Sequence, residues 1–212
     1  MVDVDKLKEY EGKRDFSKTP EPKASGPKKS HEDPIFVVQQ HKASRMHFDF
    51  RLEIDGTLAS WAIPKGPSTD PREKRLAVRT EDHPVEYASF EGSIPEEEYG
   101  GGTVIVWDTG RWEHKTKDDK GNELTPAQAL EKGHLSVRLH GQKLRGGYSL
   151  IHSKMGGNEK NWLLVKEKDD EADARRNPVS TETKSVVSGL TVEEMEERMR
   201  QQLEEDAESS EG

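Results

Sequence analysis

Two histidines and an aspartate carry the clearest chemistry in this sequence. In Met46-His47-Phe48-Asp49-Phe50-Arg51-Leu52-Glu53, apolar and ionisable residues alternate. Read as a strand, the segment puts Met46, Phe48, Phe50 and Leu52 on one face and His47, Asp49, Arg51 and Glu53 on the other. The imidazole of His47 and the carboxylate of Asp49 then sit about 6.5 Å apart along one face, near enough to reach one cation. His41, six residues before His47, can fold back from the preceding strand or loop. Two neutral imidazoles and one carboxylate make a three-ligand site with open positions, a set that suits manganese, iron or zinc. Arg51, one step further on the same face, can fork onto phosphate oxygens held beside such an ion. The plain alternative is an exposed polar face with incidental histidines.

Other groups extend the pattern. Lys65 lies in IPKGPS and Arg75 opens RLAVRT. His83 and Tyr87 are four apart in EDHPVEYASF, with Glu81 beside them. A helical turn stacks His83 and Tyr87 on one side, and Pro84 is permitted at its start. Taken singly, these are ordinary surface charges and a loop histidine. Gathered around one metal, they supply three cations and a hydroxyl, the equipment for phosphoryl hydrolysis. The Gly100-Gly101-Gly102 run is no phosphate loop. It precedes a strand, no helix N-terminus follows it, and it lacks a Gly-Lys-Ser/Thr ending, so a bulge or tight turn is expected. His114, His134, His140 and His152 fall in other strand-like segments and read as structural or surface residues.

The elements that must position these groups are short strands. IFVVQQ, MHFDFRLEI and TLASWAI follow one another, the last two joined by the hairpin pair Asp55-Gly56. RLAVRT is a further strand. TVIVWD and RWEHKT read as a second hairpin about Thr109-Gly110. HLSVRLHG, KLRGGYSLIHSK and NWLLVKEK add three more, and Thr125–Lys132 is a short helix closed by Gly133. The expected fold is therefore mainly β: a small closed or partly open β-barrel over 34–168, with one or two short helices and flexible tails at both ends. Helices do not alternate with strands, which argues against an α/β fold.

Composition agrees with a small core. Of 212 residues, 30% are hydrophobic and 35% charged, against nearer 45–50% and 25% in average domains. Residues 1–33 read as a flexible arm, of which 13–22 is expected to order over the site. Residues 169–212 read as an acidic, mostly disordered tail with a possible helix at 191–205, capped by Thr191 and Glu194. From Lys166 onward there are 7 basic and 15 acidic residues, so most of the net charge of −9 belongs to the tail. It does not argue against a polyanionic substrate at the core. No apolar run is long enough to span a bilayer, and no signal core is seen at the start, so a cytoplasmic monomer is expected. Cysteine is absent, which excludes disulfides, thiolate metal sites and cysteine nucleophiles.

The sequence resembles the 3′-phosphoesterase domain of bacterial ATP-dependent DNA ligase D and its stand-alone relatives. The resemblance runs through KRDFSKTPEP (13–22), FVVQQHKASRMHFDFRLEIDGTLASWAIPKGPS (36–68), KRLAVRTEDHPVEYASFEGSIPEEEYGGGTVIVWDTGRW (74–112) and KNWLLVKEKD (160–169). It implies a β-barrel with a manganese-dependent site, zinc or cobalt being alternatives. That site trims ribonucleotide-bearing 3′ ends of a primer strand to a 3′-phosphate, then removes the phosphate to leave a 3′-OH. By resemblance the metal ligands fall on His41, His47 and Asp49. The catalytic and phosphate-binding positions fall on Arg51, Lys65, Arg75, His83 and Tyr87. Arg14, Asp15, Glu21 and Glu81 match supporting positions. The implied partners are primer–template 3′ ends, with a DNA ligase and polymerase acting in trans. The chain departs at Pro95-Glu96-Glu97, where Pro-Glu-Gly is expected, and at Phe48, where Tyr is usual. Residues 170–212 lie outside the resemblance.

Two other functions fit some of these residues. Two histidines and a carboxylate also form the facial triad of non-haem iron oxygenases, although the cations at 51, 65 and 75 suit phosphate better. A non-catalytic DNA-end-binding module would use the same charges without turnover. A ligase-type nucleotidyltransferase is discouraged, because Glu53 stands where its lysine nucleophile would be wanted.

Overall fold

In a computed structural model, which describes residues 4–25, 33–153 and 155–210, strand β1 (Ile35–Lys42) is paired along both edges. On one side lies β2 (Met46–Ile54), followed by β3 (Thr57–Ile63) and β4 (Lys74–Arg79). On the other lies β7 (Gly102–His114), followed by β8 (His134–Gly141), β9 (Arg145–His152) and β10 (Asn161–Lys166). β10 pairs β4, so eight antiparallel strands close into a barrel. Two short strands attach outside this ring: β5 (His83–Pro84) on β3 and β6 (Gly92–Ile94) on β7. Closure removes the exposed edges that an open sheet of this size would present.

The interior is built from one side of each strand, as period-2 alternation requires. Phe36, Phe50, Leu52, Trp61, Trp107 and Tyr148 are among its large members, all fully buried. Phe48 keeps the buried place expected of it and meets Trp107 edge-on at 5.4 Å between centroids. The β2–β3 turn is the one expected. Asp55 and Gly56 have φ of 52° and 78°, the paired positive values of a two-residue hairpin. A helix over Pro126–Glu131 starts with a complete capping box between Thr125 and Gln128, and Gly133 at φ 77° follows it.

Three expectations change. Thr109-Gly110 is not a turn: β7 runs unbroken for 13 residues and bends, serving β1 with its first part and β8 with its last. Gly110 is needed there because a Cβ would lie 2.1 Å from the His140 carbonyl oxygen. It permits a close approach of strands at a barrel corner, which looks like a turn signal in sequence.

The N-terminal arm is ordered where it is described. After a 3₁₀ turn at Val4–Leu7 come α1 (Lys8–Gly12) and an extended segment, with Tyr10 and Glu21 buried. Part of the expected linker, residues 26–32, lies outside the described residues.

The tail is likewise structured. It wraps the barrel as a strap and ends in a 19-residue helix, Val192–Ser210, longer than the 191–205 expected. The strap was hard to foresee because its anchors are backbone carbonyls: Trp107 Nε1 and Lys143 Nζ both donate to the Glu182 oxygen at 2.7 Å. The terminal helix buries Val192 and Met195 against Ile105, whereas Leu203 is 68% exposed, so the apolar stripe is used only at its start. No helix among the described residues is long and apolar enough to cross a membrane.

Candidate active site

The β1–β2 register brings the predicted metal ligands together. His41 pairs directly with His47, and Gln39 with Asp49. Directly opposed residues on one face stand close enough for their side chains to touch, and the two imidazole centroids are 4.7 Å apart. His41 Nδ1 is 3.6 Å from Asp49 Oδ2, and His47 Nε2 is 3.7 Å from Asp49 Oδ1. One ligand atom from each of the three residues lies within 4.8 Å of the others. These gaps are long for hydrogen bonds. They match the separation of about 3.5 Å between two ligands that each sit some 2.1 Å from a tetrahedral ion. The Arg45 carbonyl lies 3.0 Å from His47 Nδ1, which fixes the ring and turns Nε2 to the site. His41 Nε2 is buried without a hydrogen-bond partner, a cost that an ion or solvent would relieve. The donor set, N, N and O, therefore fits a divalent cation.

Arg51 sits behind these ligands, 3% exposed, and is held on every side. Its Nε donates to Gln39 Oε1 at 2.8 Å, Nη1 to Ser60 Oγ at 2.8 Å, and Nη2 to Asp49 Oδ2 at 3.2 Å. Its guanidinium carbon lies 4.9 Å from the Tyr87 ring centroid. Burial works against the Asp49 carboxylate, yet Arg51 and the two imidazoles outweigh it and hold its pKa well below the usual carboxylate range. Asp49 thus stays ionised and available as a ligand.

His83 and Tyr87 form the next layer. Their rings meet edge-on at 4.7 Å. His83 lies in β5, and Tyr87 lies in the 3₁₀ helix Val85–Ser89 that follows. Burial, then Arg51 and Arg14, push the His83 imidazole well below its ordinary pKa, so the ring is neutral. Its Nδ1 is 2.9 Å from both Arg51 Nη1 and the Glu81 carbonyl, and its Nε2 is 3.3 Å from Arg14 Nη2. Tyr87 Oη donates to Glu21 Oε1 at 2.9 Å. Burial and the Glu21 charge raise that phenol well above its ordinary value, so the proton stays on Tyr87.

The N-terminal arm closes the site from outside. Arg14 Nε donates to Glu21 Oε1 at 2.9 Å, and its Nη1 reaches Glu81 Oε1 at 3.3 Å. Arg14 also stacks on Tyr10, 3.8 Å from the ring centroid. Burial works against the Arg14 charge and Glu21 more than restores it. His41, His47, Asp49, Arg51, Arg14, Glu21, Glu81, His83 and Tyr87 all line one cleft.

Residues 39–152 match the family described as the DNA Ligase D 3′-phosphoesterase domain. The chain belongs to that family. It is 54% identical over 167 residues to the multifunctional non-homologous end joining protein LigD of Pseudomonas aeruginosa, covering 78% of this chain and 19% of that protein. The LigD protein of Mycolicibacterium smegmatis is 45% identical over 166 residues, 78% of this chain and 21% of that protein. That of Mycobacterium tuberculosis is 44% identical over 161 residues, 76% and 19%. The chain thus spans about a fifth of the length of these curated relatives.

Three residues that family resemblance assigns to the site are not among those that line the cleft. Lys65 is exposed in the turn after β3. Arg75 donates to Glu73 at 2.6 Å, and its Nε is buried without a partner. Asp15 is exposed and folds back on its own arm, accepting from Ser17 N at 3.1 Å and Ser17 Oγ at 2.6 Å. In this arrangement it shapes the arm's turn.

The sequence reading also missed residues. Gln39 is fully buried. Its amide nitrogen donates to the Tyr87 and Phe90 carbonyls at 2.9 and 3.0 Å, which turns its oxygen toward Arg51. A glutamine in IFVVQQ gives no signal of that. Tyr10 was hidden in the charged arm. Its ring lies 5.0 Å from His83 and its hydroxyl donates to the Pro22 carbonyl at 2.7 Å.

Proposed function

We propose that the protein is a manganese-dependent DNA 3′-end-healing phosphoesterase. It removes a 3′-terminal ribonucleoside and then the 3′-phosphate from primer strands, leaving a 3′-OH for repair and ligation. The observation that carries this reading is the open cluster of His41, His47 and Asp49 against the Arg51 guanidinium, in a chain of the 3′-phosphoesterase family. His41, His47 and Asp49 would hold the ion, with zinc and cobalt as alternatives. When bound, it supplies Lewis acidity toward a phosphate oxygen and lowers the pKa of water.

The chain's own residues do the rest. Arg51 and Arg14 face the same cleft as the ligands and offset the charge that grows on the phosphoryl oxygens. Arg51 needs no reorganisation, because Gln39 and Ser60 already fix its plane. The buried His83 is neutral and surrounded by guanidinium donors, so it positions the two arginines and is not the resident acid. Tyr87 keeps its proton and passes orientation from Glu21 to the cleft. Glu81, through Arg14 and Lys13, and Tyr87, through Glu21, together tie the arm down. Lys65 and Arg75, which the resemblance gives as phosphate-binding positions, would add positive charge for the phosphate, although they do not line the cleft. The relatives are named as multifunctional non-homologous end joining proteins. By analogy this protein prepares 3′ ends for a ligase and a polymerase, as a cytoplasmic monomer.

The test uses a primer–template ending in 3′-phosphate and a twin ending in one ribonucleotide. Each is incubated with protein and manganese, beside chelator and His47→Ala controls. Conversion to 3′-OH that both controls abolish supports the assignment, and primer shortening adds the nucleoside-releasing step. Binding without turnover on either substrate would replace the enzyme with an end-binding module.

A further inference from the structure

Tyr99 is the most exposed aromatic side chain on the described surface, 48% open to solvent. The other large exposed apolar residues, such as Leu76, Ile151 and Leu203, are aliphatic and stand away from the cleft. Tyr99 lines it, together with the metal ligands and Arg14. A scattered exposed leucine needs no explanation. An aromatic ring standing open at the cleft that holds Arg14, Arg51 and the three candidate ligands does.

The ring is not loose. Lys13 Nζ lies 4.7 Å from its centroid and 3.3 Å from its hydroxyl, and the Arg14 guanidinium carbon is 5.6 Å from the centroid. Lys18 reaches Glu98, next to it in the chain, at 3.8 Å. The loop beneath is a double turn: Glu98 N donates to the Pro95 carbonyl and Gly101 N to the Glu98 carbonyl, both at 3.0 Å. The triple glycine now has a reason. A Cβ on Gly101 would meet the Pro95 oxygen at 2.7 Å, and one on Gly102 would meet the Lys42 oxygen at 2.2 Å. The glycines let this loop seat against the end of β1, beside His41. Tyr99 is therefore held by the turns of its own loop and by the cations of Lys13 and Arg14 near its ring.

Resting on the phosphoesterase reading above, we infer that Tyr99 is a stacking platform for a nucleobase. Its ligand is the base of the nucleotide that carries the phosphoryl group on its 3′ oxygen. That nucleotide is common to both substrates, since the diester and the monoester are attached through the same oxygen. With its phosphoryl group at Arg51 and the ligands, its base extends toward the mouth, where Tyr99 offers a π-face. Every base has a π-face, so this subsite gives end affinity without sequence preference. It also suits an acidic protein that cannot hold DNA by charge alone.

The experiment is a double-mutant cycle in which one partner is on the DNA. Wild type, Tyr99→Ala and Tyr99→Phe are assayed on a 3′-phosphate duplex and on a twin whose 3′-terminal nucleotide is abasic. End binding is followed in parallel by fluorescence anisotropy. Stacking of a base on an aromatic is worth about 1–3 kcal/mol, so Tyr99→Ala should lose on the order of 5- to 150-fold in kcat/KM and in affinity on the base-bearing end. On the abasic end the loss should shrink to within about twofold, and Tyr99→Phe should restore most of the activity.

Equal losses on both ends would overturn the inference while leaving the phosphoesterase intact. So would a Tyr99→Phe as weak as Tyr99→Ala, which would assign the role to the hydroxyl. If wild type binds ends but does not turn over, the enzyme reading fails, and the anisotropy cycle still decides the platform. No binding to either end would remove both.

Discussion

Manganese should stabilise the folded chain measurably, whether or not a substrate is present. An ion that binds the native state alone adds about 2.7 kcal/mol when its concentration is 100 times its dissociation constant. For a chain of this size, each kcal/mol moves the melting temperature by about 2–4 °C, so the expected shift is about 5–11 °C. His47→Ala is the perturbation of choice. His47 is half-buried, and its hydrogen-bond partner is a local one, the Arg45 carbonyl at 3.0 Å, so truncation removes a ligand without opening the core. Asp49→Asn is a poorer choice, because it strips the charge partner from a buried Arg51 and costs about 3–5 kcal/mol on that account alone. Differential scanning fluorimetry of wild type and His47→Ala, titrated with manganese, zinc and cobalt after chelator treatment, reads the effect. The variant should melt near the apo wild type and move by less than about 1–2 °C. An equal shift in both proteins would place the ion elsewhere, and no shift in wild type at millimolar metal would refute the site.

Other expectations follow from the same contacts. Gln39→Leu leaves the Phe90 carbonyl and Arg51 Nε–H without the partner Gln39 supplies, and takes one of two donors from the Tyr87 carbonyl, which keeps the Phe90 N–H. At about 1–3 kcal/mol for each unsatisfied buried group, it should cost about 2 kcal/mol or more in urea denaturation, and turnover should fall while the manganese shift survives; a loss under about 1 kcal/mol would deny the network its role. The lowered pKa of His83 means that the unfolded chain binds a proton the native ring refuses. Stability should therefore fall as pH drops below 6.5, by about 1.2 kcal/mol between pH 7 and 5.5 for this one group. Denaturation midpoints should show that slope flattened in His83→Asn. Met195→Ala should cost about 2–3 kcal/mol and expose the terminal helix to proteolysis, whereas Leu203→Ala, at an exposed position, should change stability by less than about 0.5 kcal/mol.

What could be read from the chain depended on whether a residue's role left a trace in its spacing. The β2 alternation put His47, Asp49 and Arg51 on one face, and period 2 alone sufficed for that. His41 was legible as the third candidate ligand, but the strand register that sets it against His47 was not. Its pairing follows from the short Ala43-Ser44-Arg45 connection, which sets Lys42 against Met46 and His41 against His47. Gly110 shows a signal with two meanings: the same residue that opens a turn also lets strands approach, and only the carbonyl of His140 tells them apart. The strap after Asp169 left almost no trace, because Lys143 and Trp107 hold it by its carbonyls, and any residue type supplies a carbonyl. The arm is the opposite case. Its composition looked unstructured outside 13–22, yet Arg14 and Lys13 reach Glu81, Glu21 accepts from Tyr87, and the Tyr10 ring meets His83. A segment rich in charge cannot fold on itself. It orders here because the site presents the complementary charges of Glu81 and the rings of His83 and Tyr87. The arm's structure is therefore a property of the site it covers, and removing it should leave the barrel folded but the cleft without Arg14, Glu21 and the clamp on Tyr99.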